Sequence, residues 1–335
     1  MAFKSQMCTF FALLLFLFVL FSSSLNANPA VNRVSFSQKG NKLINDILNG
    51  YRNKRTSEHI ITDCMTVTSE KGHYYYKATR EMYELENAAC GVYMMANPDE
   101  VIQIHFDYID MPCENNEIVS FVDGWELNGS YFPNEQDYTK PMKERIREFC
   151  GKKRIKVVLE SSQNAALVRY QIPKSGRGFS FYFTTRKNPT PCNILVDSNT
   201  NIYTLRNYGQ RVNCSLLAMH PAKIQILSLT VGINTYEKTR YTETGTFHNC
   251  DQNGIADYVQ IGGGSELGEY SVISDSICGI DSIPGDILDS IFCGVTKIRL
   301  VSSGTTNNLI TLTIGKVNAE ENTESGVLCP SLSSE

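Results

Sequence analysis

The amino-acid sequence predicts an all-β protein that contains two tandem copies of one fold and is cross-linked by disulfide bonds. Three observations predict it: apolar residues that alternate with polar ones, an internal repeat, and ten cysteines that follow an apolar leader. Tyr, Phe, Thr and Val are plentiful, and these residue types favour strands.

Alternating apolar residues mark several half-buried strands. The residues predicted to face inward are Ile102, Ile104, Phe106 and Tyr108 in one segment, Phe179, Phe181 and Phe183 in a second, and Ile310, Leu312 and Ile314 in a third. Helical periodicity is weak and confined to Lys42–Tyr51 and Glu144–Phe149. Only short helices are therefore expected.

The internal repeat consists of two matches at nearly one offset. EIVSFVDG, from Glu117, resembles DYVQIGG, from Asp257, at an offset of 140 residues. IKVVLESSQNAALVRYQI resembles KIRLVSSGTTNNLITLTI, with Ser161 and Ser302 separated by 141 residues. We expect domains at residues 60–186 and 190–316, followed by a tail at 317–335. Two unrelated β domains with chance similarity are the alternative.

The N-terminus has the pattern of a signal peptide, which we assign to residues 1–27. Lys4 precedes an unbroken apolar run, Phe10–Phe21, and small residues follow it. The run is shorter than the roughly 20 residues of a spanning helix, although a signal anchor is the alternative. We expect a soluble, secreted chain without membrane insertion.

Residues 28–59 form a separate N-terminal segment, and its basic cluster Arg52–Arg55 fits the cleavage pattern of secretory convertases. An exposed basic cluster is the favoured interpretation, and removal of a propeptide is the alternative.

Cysteine usage supports an oxidising compartment. Cys8 lies in the leader, and the remaining ten are Cys64, Cys90, Cys113, Cys150, Cys192, Cys214, Cys250, Cys278, Cys293 and Cys329. An even set in an exported chain predicts a disulfide framework whose connectivity the sequence leaves open. Sequential pairing would close five short loops, each stabilising the fold by about 3–4 kcal/mol.

Charge and motifs argue against several function classes. With 31 basic and 35 acidic residues, nothing predicts a broad cationic surface, and no nucleic-acid partner is expected. The histidines are dispersed, and there is no zinc-binding helix motif, phosphate loop or nucleophile elbow. We therefore expect no catalytic residue, enzyme activity, cofactor or metal. His105 is expected at the surface, and Gly262–Gly264 in a tight sheet turn.

Calcium and glycans need separate consideration. Glu117, Asp123 and Asp257 lie at strand ends, but neither copy supplies the six to eight oxygen ligands of a calcium site. Solvated acids are the favoured interpretation. The sequons at Asn128 and Asn213 predict N-glycosylation.

Several strings resemble known extracellular proteins. The chain resembles CUB domains, which are two-sheet β-sandwiches of jelly-roll type. The features that carry this resemblance are a strand ending in Asp-Gly, two sequential cysteine pairs and a later Ser-Ser. The strings IHFDYI, FVDGWELNGSYFPNEQD, REFC, SSQNAALV, NPTPCN, NCS and VSSG, in this order, resemble the corticotropin-releasing factor-binding protein family from about Cys64 to Cys329.

This resemblance implies two CUB-like sandwich domains and five disulfides between successive cysteines, with Cys329 tying down the tail. It also implies a secreted glycoprotein that captures corticotropin-releasing factor-like peptides, or related diuretic-hormone-like peptides, and limits receptor activation. It supports a glycan at Asn213. An extracellular two-CUB adhesion or assembly protein is the alternative function.

The ligand contacts do not carry over directly. The family's Arg and Asp, four residues before and two after the first framework cysteine, are replaced here by Ile60 and Thr66. Either the peptide ligand differs, or neighbouring groups such as His59 and Asp63 substitute for the lost charges. Tyr74, Tyr75 and Tyr76 are candidate linings of an apolar groove, although alternate tyrosines in the core are the favoured interpretation.

Overall fold

The structure is a computed structural model that describes residues 57–77, 89–113, 117–171, 178–232, 245–268, 272–284, 288–317 and 326–329. All of them belong to one compact unit, Thr56–Glu335. The predicted signal peptide, nearly all of the segment 28–59, and Arg52–Arg55 lie outside the described residues. No helix in the described ranges is long and apolar enough to cross a membrane.

The first domain is a sandwich of two sheets. Its strands are β1 (Ser57–Ile61), β2 (Met65–Thr68), β3 (Gly72–Tyr76), β4 (Ala89–Met95), β5 (Glu100–Met111), β6 (Val119–Asp123), β7 (Trp125–Leu127), β8 (Ser130–Phe132), β9 (Ile146–Phe149), β10 (Gly151–Lys153), β11 (Leu159–Glu160), β12 (Ala165–Gln171) and β13 (Gly178–Lys187). One sheet, the front sheet, has the order β1-β3-β13-β5-β10, and β11 also pairs with β5. The other, the back sheet, has the order β2-β4-β12-β6-β9.

The second domain repeats this arrangement. Its strands are β14 (Ile194–Val196), β15 (Asn201–Arg206), β16 (Cys214–Ala218), β17 (Ala222–Val231), β18 (Gly245–Phe247), β19 (Tyr258–Gly264), β20 (Val272–Asp281), β21 (Leu288–Ile291), β22 (Val295–Val301) and β23 (Leu309–Lys316). They follow the order β14-β16-β22-β19-β20-β17-β23-β15. Strand β20 pairs with β19 at one end and β17 at the other, and so joins the two faces.

The predicted class, all-β with tandem sandwich domains cross-linked by disulfides, is confirmed. The boundaries at 60–186, 190–316 and 317–335 stay predictions. Each domain has its own apolar core. The inward residues Phe179, Phe181 and Phe183 are fully buried, as are Ile310, Leu312 and Ile314, because alternate side chains of a strand face the same side.

Tyr108 was predicted to face inward, and this is wrong. The pairing of β5 with β13 shifts between Ser180 and Phe181, so one extra residue of β5 interrupts the alternation. Ile109 and Met111 then occupy the core, each 1% exposed, while Tyr108 lies on the outer face. A bulge of this kind reverses the side-chain phase along a strand.

Two other local predictions are corrected. The helical period at Glu144–Phe149 gives one turn of helix, α1 (Met142–Arg145), followed by strand β9. Gly262–Gly264 is not a turn but the end of β19. A Cβ on Gly263 would lie 2.6 Å from the carbonyl oxygen of Val295 and 2.8 Å from the Cβ of Cys293, so close approach of neighbouring chain requires glycine there.

The two domains share a topology, but one of the two string matches pairs the wrong strands. Strand β6 pairs with β12, and β19 pairs in the same way with β22, so β6 and β19 are equivalent. The longer match aligns β12 with β23, whereas β12 corresponds to β22 by its neighbours, and β13 corresponds to β23. Strands with alternating apolar and polar residues have similar sequences whatever their place in a sheet. This similarity explains why the match aligned β12 with the strand after its true equivalent.

The cysteines pair in sequence order, as the resemblance implies. The bonds are Cys64–Cys90, Cys113–Cys150, Cys192–Cys214, Cys250–Cys278 and Cys293–Cys329. The last one holds the tail, in which Val327 forms a parallel bridge with Ile291.

A third apolar cluster joins the two domains. It combines back-sheet residues of the first domain with residues of the second: Tyr93, Val122, Trp125, Phe132, Ala165 and Leu167 with Leu195, Leu217, Leu267 and Val295. Asn164 adds hydrogen bonds across the junction, because its amide donates to the carbonyl oxygen of Leu195 and accepts from the Leu195 N–H. The second domain therefore covers the back sheet, and among the described residues none of the three apolar clusters covers the outer face of the front sheet.

Candidate functional site

The front sheet presents a group of tyrosines on its outer face. Backbone pairing places Ile60 beside Tyr75, Tyr75 beside Ser180, and Ser180 beside Tyr108, forming one row across four strands. The neighbouring row consists of Glu58, His73, Tyr182 and His105. We call the surface formed by Ile60, Tyr75, Tyr108 and Tyr182 the tyrosine face.

The tyrosine face is accessible and partly apolar. Ile60 is 59% exposed, and the three tyrosines are half-buried. Desolvation and the nearby carboxylates of Glu58 and Asp107 raise the pKa of Tyr75, so its hydroxyl stays a neutral hydrogen-bond donor. Half-buried tyrosines combine an apolar ring with a polar tip, which suits them to protein contacts.

Asp107 organises the polar part of this surface. Its Oδ2 lies 3.1 Å from His73 Nδ1 and accepts a 3.0 Å hydrogen bond from the Ser180 hydroxyl. Its Oδ1 lies 3.7 Å from His105 Nδ1. The His73 ring also packs against Tyr182, with centroids 4.8 Å apart. These contacts fix the rings around the tyrosines, and a fixed surface loses less entropy on binding.

Of the residues predicted to bind a ligand, Tyr74 and Tyr76 lie inside the sandwich. Tyr74 is 2% exposed and stacks on Phe181 at 5.2 Å. Its hydroxyl donates to the carbonyl oxygen of Glu70 at 2.7 Å. Tyr76 packs among the core aromatics Tyr170 and Phe179.

His59 lies behind the tyrosine face rather than on it. Its ring stacks on Tyr74 at 4.6 Å, and its Nδ1 lies 3.5 Å from Glu70. Tyr75 is thus the one member of the predicted set that lies on the tyrosine face, and the ligand roles of the whole set stay predictions.

Asp63 and Thr66 lie near the adjoining edge of the sandwich. Asp63 is exposed in the connection from β1 to β2, and Thr66 is half-buried in β2. Beside Thr66, Met65 and Val67 are 52% and 66% exposed. Because β2 pairs only with β4 among the described strands, its other edge offers free backbone groups next to apolar side chains.

Sequence reasoning missed His73, Asp107, Tyr108 and Tyr182 as parts of one surface. They come from β3, β5 and β13, which are far apart in the chain. The outward positions of each strand carried a signal, since aromatic and histidine side chains alternate there with the core residues. The strand order that brings them together was not readable from one sequence.

The second domain presents different chemistry on the equivalent face. Its rows are Ile202–Thr313–Gln225 and Thr204–Thr311–Ser228. Ile202 is 66% exposed, but its row contains no aromatic residue, and hydroxyls dominate the remainder. Among the described residues, these two rows lack the aromatic side chains of the tyrosine face.

The three acids weighed as calcium ligands are buried, so the expectation that they are solvated is wrong, and two of them form internal hydrogen bonds. Asp123 accepts from the backbone N–H and hydroxyl of Ser162, at 2.7 and 2.8 Å, and Lys140 approaches to 3.4 Å. Asp257 accepts from the N–H and hydroxyl of Ser303 at 2.6 and 2.8 Å. Across the described ranges, no three His, Cys, Asp or Glu side chains are arranged to hold a metal ion.

The two sequons occupy different surroundings. Asn128 is exposed at the tip of the β7–β8 hairpin, where Asn128 and Gly129 have φ of 52° and 84°. Asn213 is half-buried, and its Nδ2 donates to the Gln136 carbonyl oxygen of the other domain at 3.2 Å. Attachment of glycans at either position stays a prediction.

Comparison with known proteins gives consistent matches. Family models for the corticotropin-releasing factor binding protein N-terminal and C-terminal domains match residues 58–189 and 194–323. The corticotropin-releasing factor-binding protein of Ovis aries is 30% identical over 250 residues, covering 74% of this chain and 73% of that protein. The Homo sapiens protein of that name is 29% identical over 250 residues, with the same coverage.

Among solved structures, the CUB1-EGF-CUB2 domain of human MASP-1/3 matches with a TM-score of 0.23 and 10% identity. The match covers 69% of this chain and 94% of that one. The rat MASP-1 CUB1-EGF-CUB2 domains give a TM-score of 0.22 and 11% identity, covering 77% and 100%.

Proposed function

Because the chain belongs to the corticotropin-releasing factor-binding protein family, we propose that it is an extracellular protein that binds a corticotropin-releasing factor-like peptide hormone. Binding would lower the free hormone concentration and so limit receptor activation. The tyrosine face of the first domain is the proposed contact surface.

The accessible aromatic surface is the observation that carries this proposal. The back sheet of the first domain is buried against the second domain, and the equivalent free face of the second domain is rich in threonine. Tyr is enriched in the energetically important centres of interfaces. The tyrosine face is thus the surface of the described residues best suited to hold a peptide.

An amphipathic peptide fits the mixed chemistry of this surface. Its apolar side chains would pack on Ile60, Tyr75 and Tyr182, while its polar groups would meet the carboxylates of Glu58 and Asp107. Amphipathic helices commonly bind in this way, with apolar anchors at helical spacing. The exposed edge of β2, with Met65 and Val67, is a second apolar patch of the first domain.

Calorimetric titration of the full mature protein with amidated peptides of this hormone class tests the proposal. We expect tight binding of at least one peptide from the same animal. Tyr75→Ala and Tyr182→Ala should each weaken it by about 2 kcal/mol, the usual size of an interface hot spot. Thr204→Ala and Thr311→Ala, on the equivalent face of the second domain, are matched controls.

Two results would reject parts of the proposal. Loss of affinity in the threonine variants but not in the tyrosine variants would reject the surface. Failure to bind any peptide of the class, together with capture of a matrix or receptor protein, would reject the hormone and favour an adhesion role.

A further inference from the structure

Positive charge is concentrated in one short part of the first domain. Residues 140–156 contain eight Lys and Arg but two Glu, whereas the whole chain has a formal net charge of −4. The basic residues are Lys140, Lys143, Arg145, Arg147, Lys152, Lys153, Arg154 and Lys156. Overall charge conceals this concentration because the acids are spread along the rest of the chain.

The basic segment borders a cleft of about 670 Å³. Edge strand β9 contributes Arg147 and Phe149, and the connection between β10 and β11 contributes Arg154, Lys156 and Val157. We call this site the basic cleft. It shares no residue with the tyrosine face.

Some charged side chains of the basic cleft already have partners within the domain. Arg145 is buried and donates to the carbonyl oxygens of Asp123 and Pro133. Lys140 pairs with Asp123 at 3.4 Å, and Glu160 pairs with Arg186 at 2.6 Å. These groups belong to the fold and are not available to a ligand.

Three cations remain available at the basic cleft. Arg147, Arg154 and Lys156 are exposed and have no carboxylate within 4.0 Å among the described residues. One lining carboxylate, that of Glu144, is also without an ion pair in that part of the chain. Exposed Lys152 and Lys153 continue the positive surface beyond the cleft.

Several of these cations follow one another closely in the sequence. Ile155 packs against the core, whereas Arg154 and Lys156 on either side of it are exposed. From Lys152 to Lys156 an extended chain covers about 13 Å, at roughly 3.3 Å per residue. Val157 and Val158, 65% and 51% exposed, add an apolar wall. A long anion with repeated charges fits this display better than a single small anion.

We propose that the basic cleft binds a sulfated polysaccharide of the extracellular matrix or cell surface. Runs of five to eight residues rich in Lys and Arg are typical of heparin or nucleic-acid contacts. The five disulfides belong to an oxidising compartment, where sulfated polysaccharides are the abundant linear polyanions. The aromatic residues of the cleft, Phe121 and Phe149, are buried or half-buried, so they do not form the exposed stacking platform that single-stranded nucleic acid needs.

The test uses the full mature protein and immobilised heparin. We expect retention at 150 mM NaCl and elution at higher salt, because polyanion binding weakens as counterions compete. Arg154→Glu/Lys156→Glu should weaken heparin affinity at least tenfold. Arg211→Glu/Lys316→Glu, which changes two exposed cations of the second domain, makes the same charge change and should leave affinity within twofold. Thermal unfolding verifies that all variants fold.

Competition identifies the ligand chemistry. Soluble heparin should displace the protein, and desulfated heparin of the same length should not. No retention at 150 mM NaCl, or equal loss in both double variants, would overturn the proposal. So would stronger competition by polyglutamate, which would assign the cleft to an acidic peptide, or by single-stranded DNA.

Discussion

Arg299 of the second domain and Asp137 of the first form an ion pair at the centre of the domain junction. Arg299 Nε lies 2.5 Å from Asp137 Oδ1, and the two side chains are 15% and 1% exposed. Lys297 lies 3.7 Å from the other oxygen of Asp137. Next to the apolar cluster between the domains, these contacts fix how the free face of the first domain is presented.

Arg299→Ala should destabilise the protein by about 2–5 kcal/mol, because removing one member of a desolvated pair leaves the other charge buried. The destabilisation should lie near the lower end of this range, because Lys297 still faces Asp137. Denaturant unfolding measures it. Lys316→Ala removes an exposed cation and should stay within about 0.5 kcal/mol. A cost no greater than that of Lys316→Ala would show that the ion pair does not stabilise the junction.

The core and site residues that could be predicted from the sequence are those whose pattern lies within a single strand. The core residues Phe179, Phe181 and Phe183 follow from alternation alone. Tyr108 did not, because a bulge in the β5–β13 pairing reverses the phase. Asp137, Lys297 and Arg299 gave no local signal, since their pairing depends on docking of two domains. The tyrosine face was found only in part, through Tyr75, because its other members come from distant strands.

Ile60→Arg should strengthen binding of vertebrate-type corticotropin-releasing factor peptides. The resemblance places an arginine of the family at this position, and Ile60 lies beside Tyr75 on the tyrosine face. A restored charge pair contributes up to about 2–5 kcal/mol when desolvated, and a gain near the lower value is expected at this exposed site. Calorimetry with vertebrate-type and native peptides measures the change.

The matched control is Thr204→Arg, on the equivalent face of the second domain. It adds the same charge away from the proposed surface and should leave both affinities unchanged. An equal gain in the two variants would mean that general attraction, not contact at residue 60, is responsible.

Asp289→Asn should stabilise the protein at neutral pH. Burial and the nearby carboxylate of Asp275 raise the pKa of Asp289. A carboxyl with a raised folded-state pKa favours folding below its unfolded-state pKa, and this contribution is lost as pH rises through the folded-state pKa. The amide that replaces the carboxyl in the variant cannot ionise, so the variant avoids that loss.

Unfolding free energies at pH 3 and pH 7 test the direction of the Asp289 pKa shift. The advantage of Asp289→Asn should be larger at pH 7 and shrink at pH 3, where the wild-type carboxyl is largely protonated in both states. Asp63→Asn, which removes a carboxyl from the surface, serves as the control. An advantage that grows on acidification would contradict the raised pKa.

N-glycosylation should be more complete at Asn128 than at Asn213. Asn128 lies at an exposed hairpin tip, where its side chain is accessible to the glycosyltransferase. The Asn213 amide donates to Gln136 and its oxygen accepts from the Ser302 N–H. Its sequon also contains Cys214, which is bonded to Cys192. Enzymatic deglycosylation with isotopic labelling, followed by peptide mass spectrometry of the secreted protein, gives the occupancy of each site. Asn128→Gln and Asn213→Gln verify which glycopeptide belongs to which site. Higher occupancy at Asn213 would contradict the prediction and would mean that glycan transfer precedes closure of the domain junction.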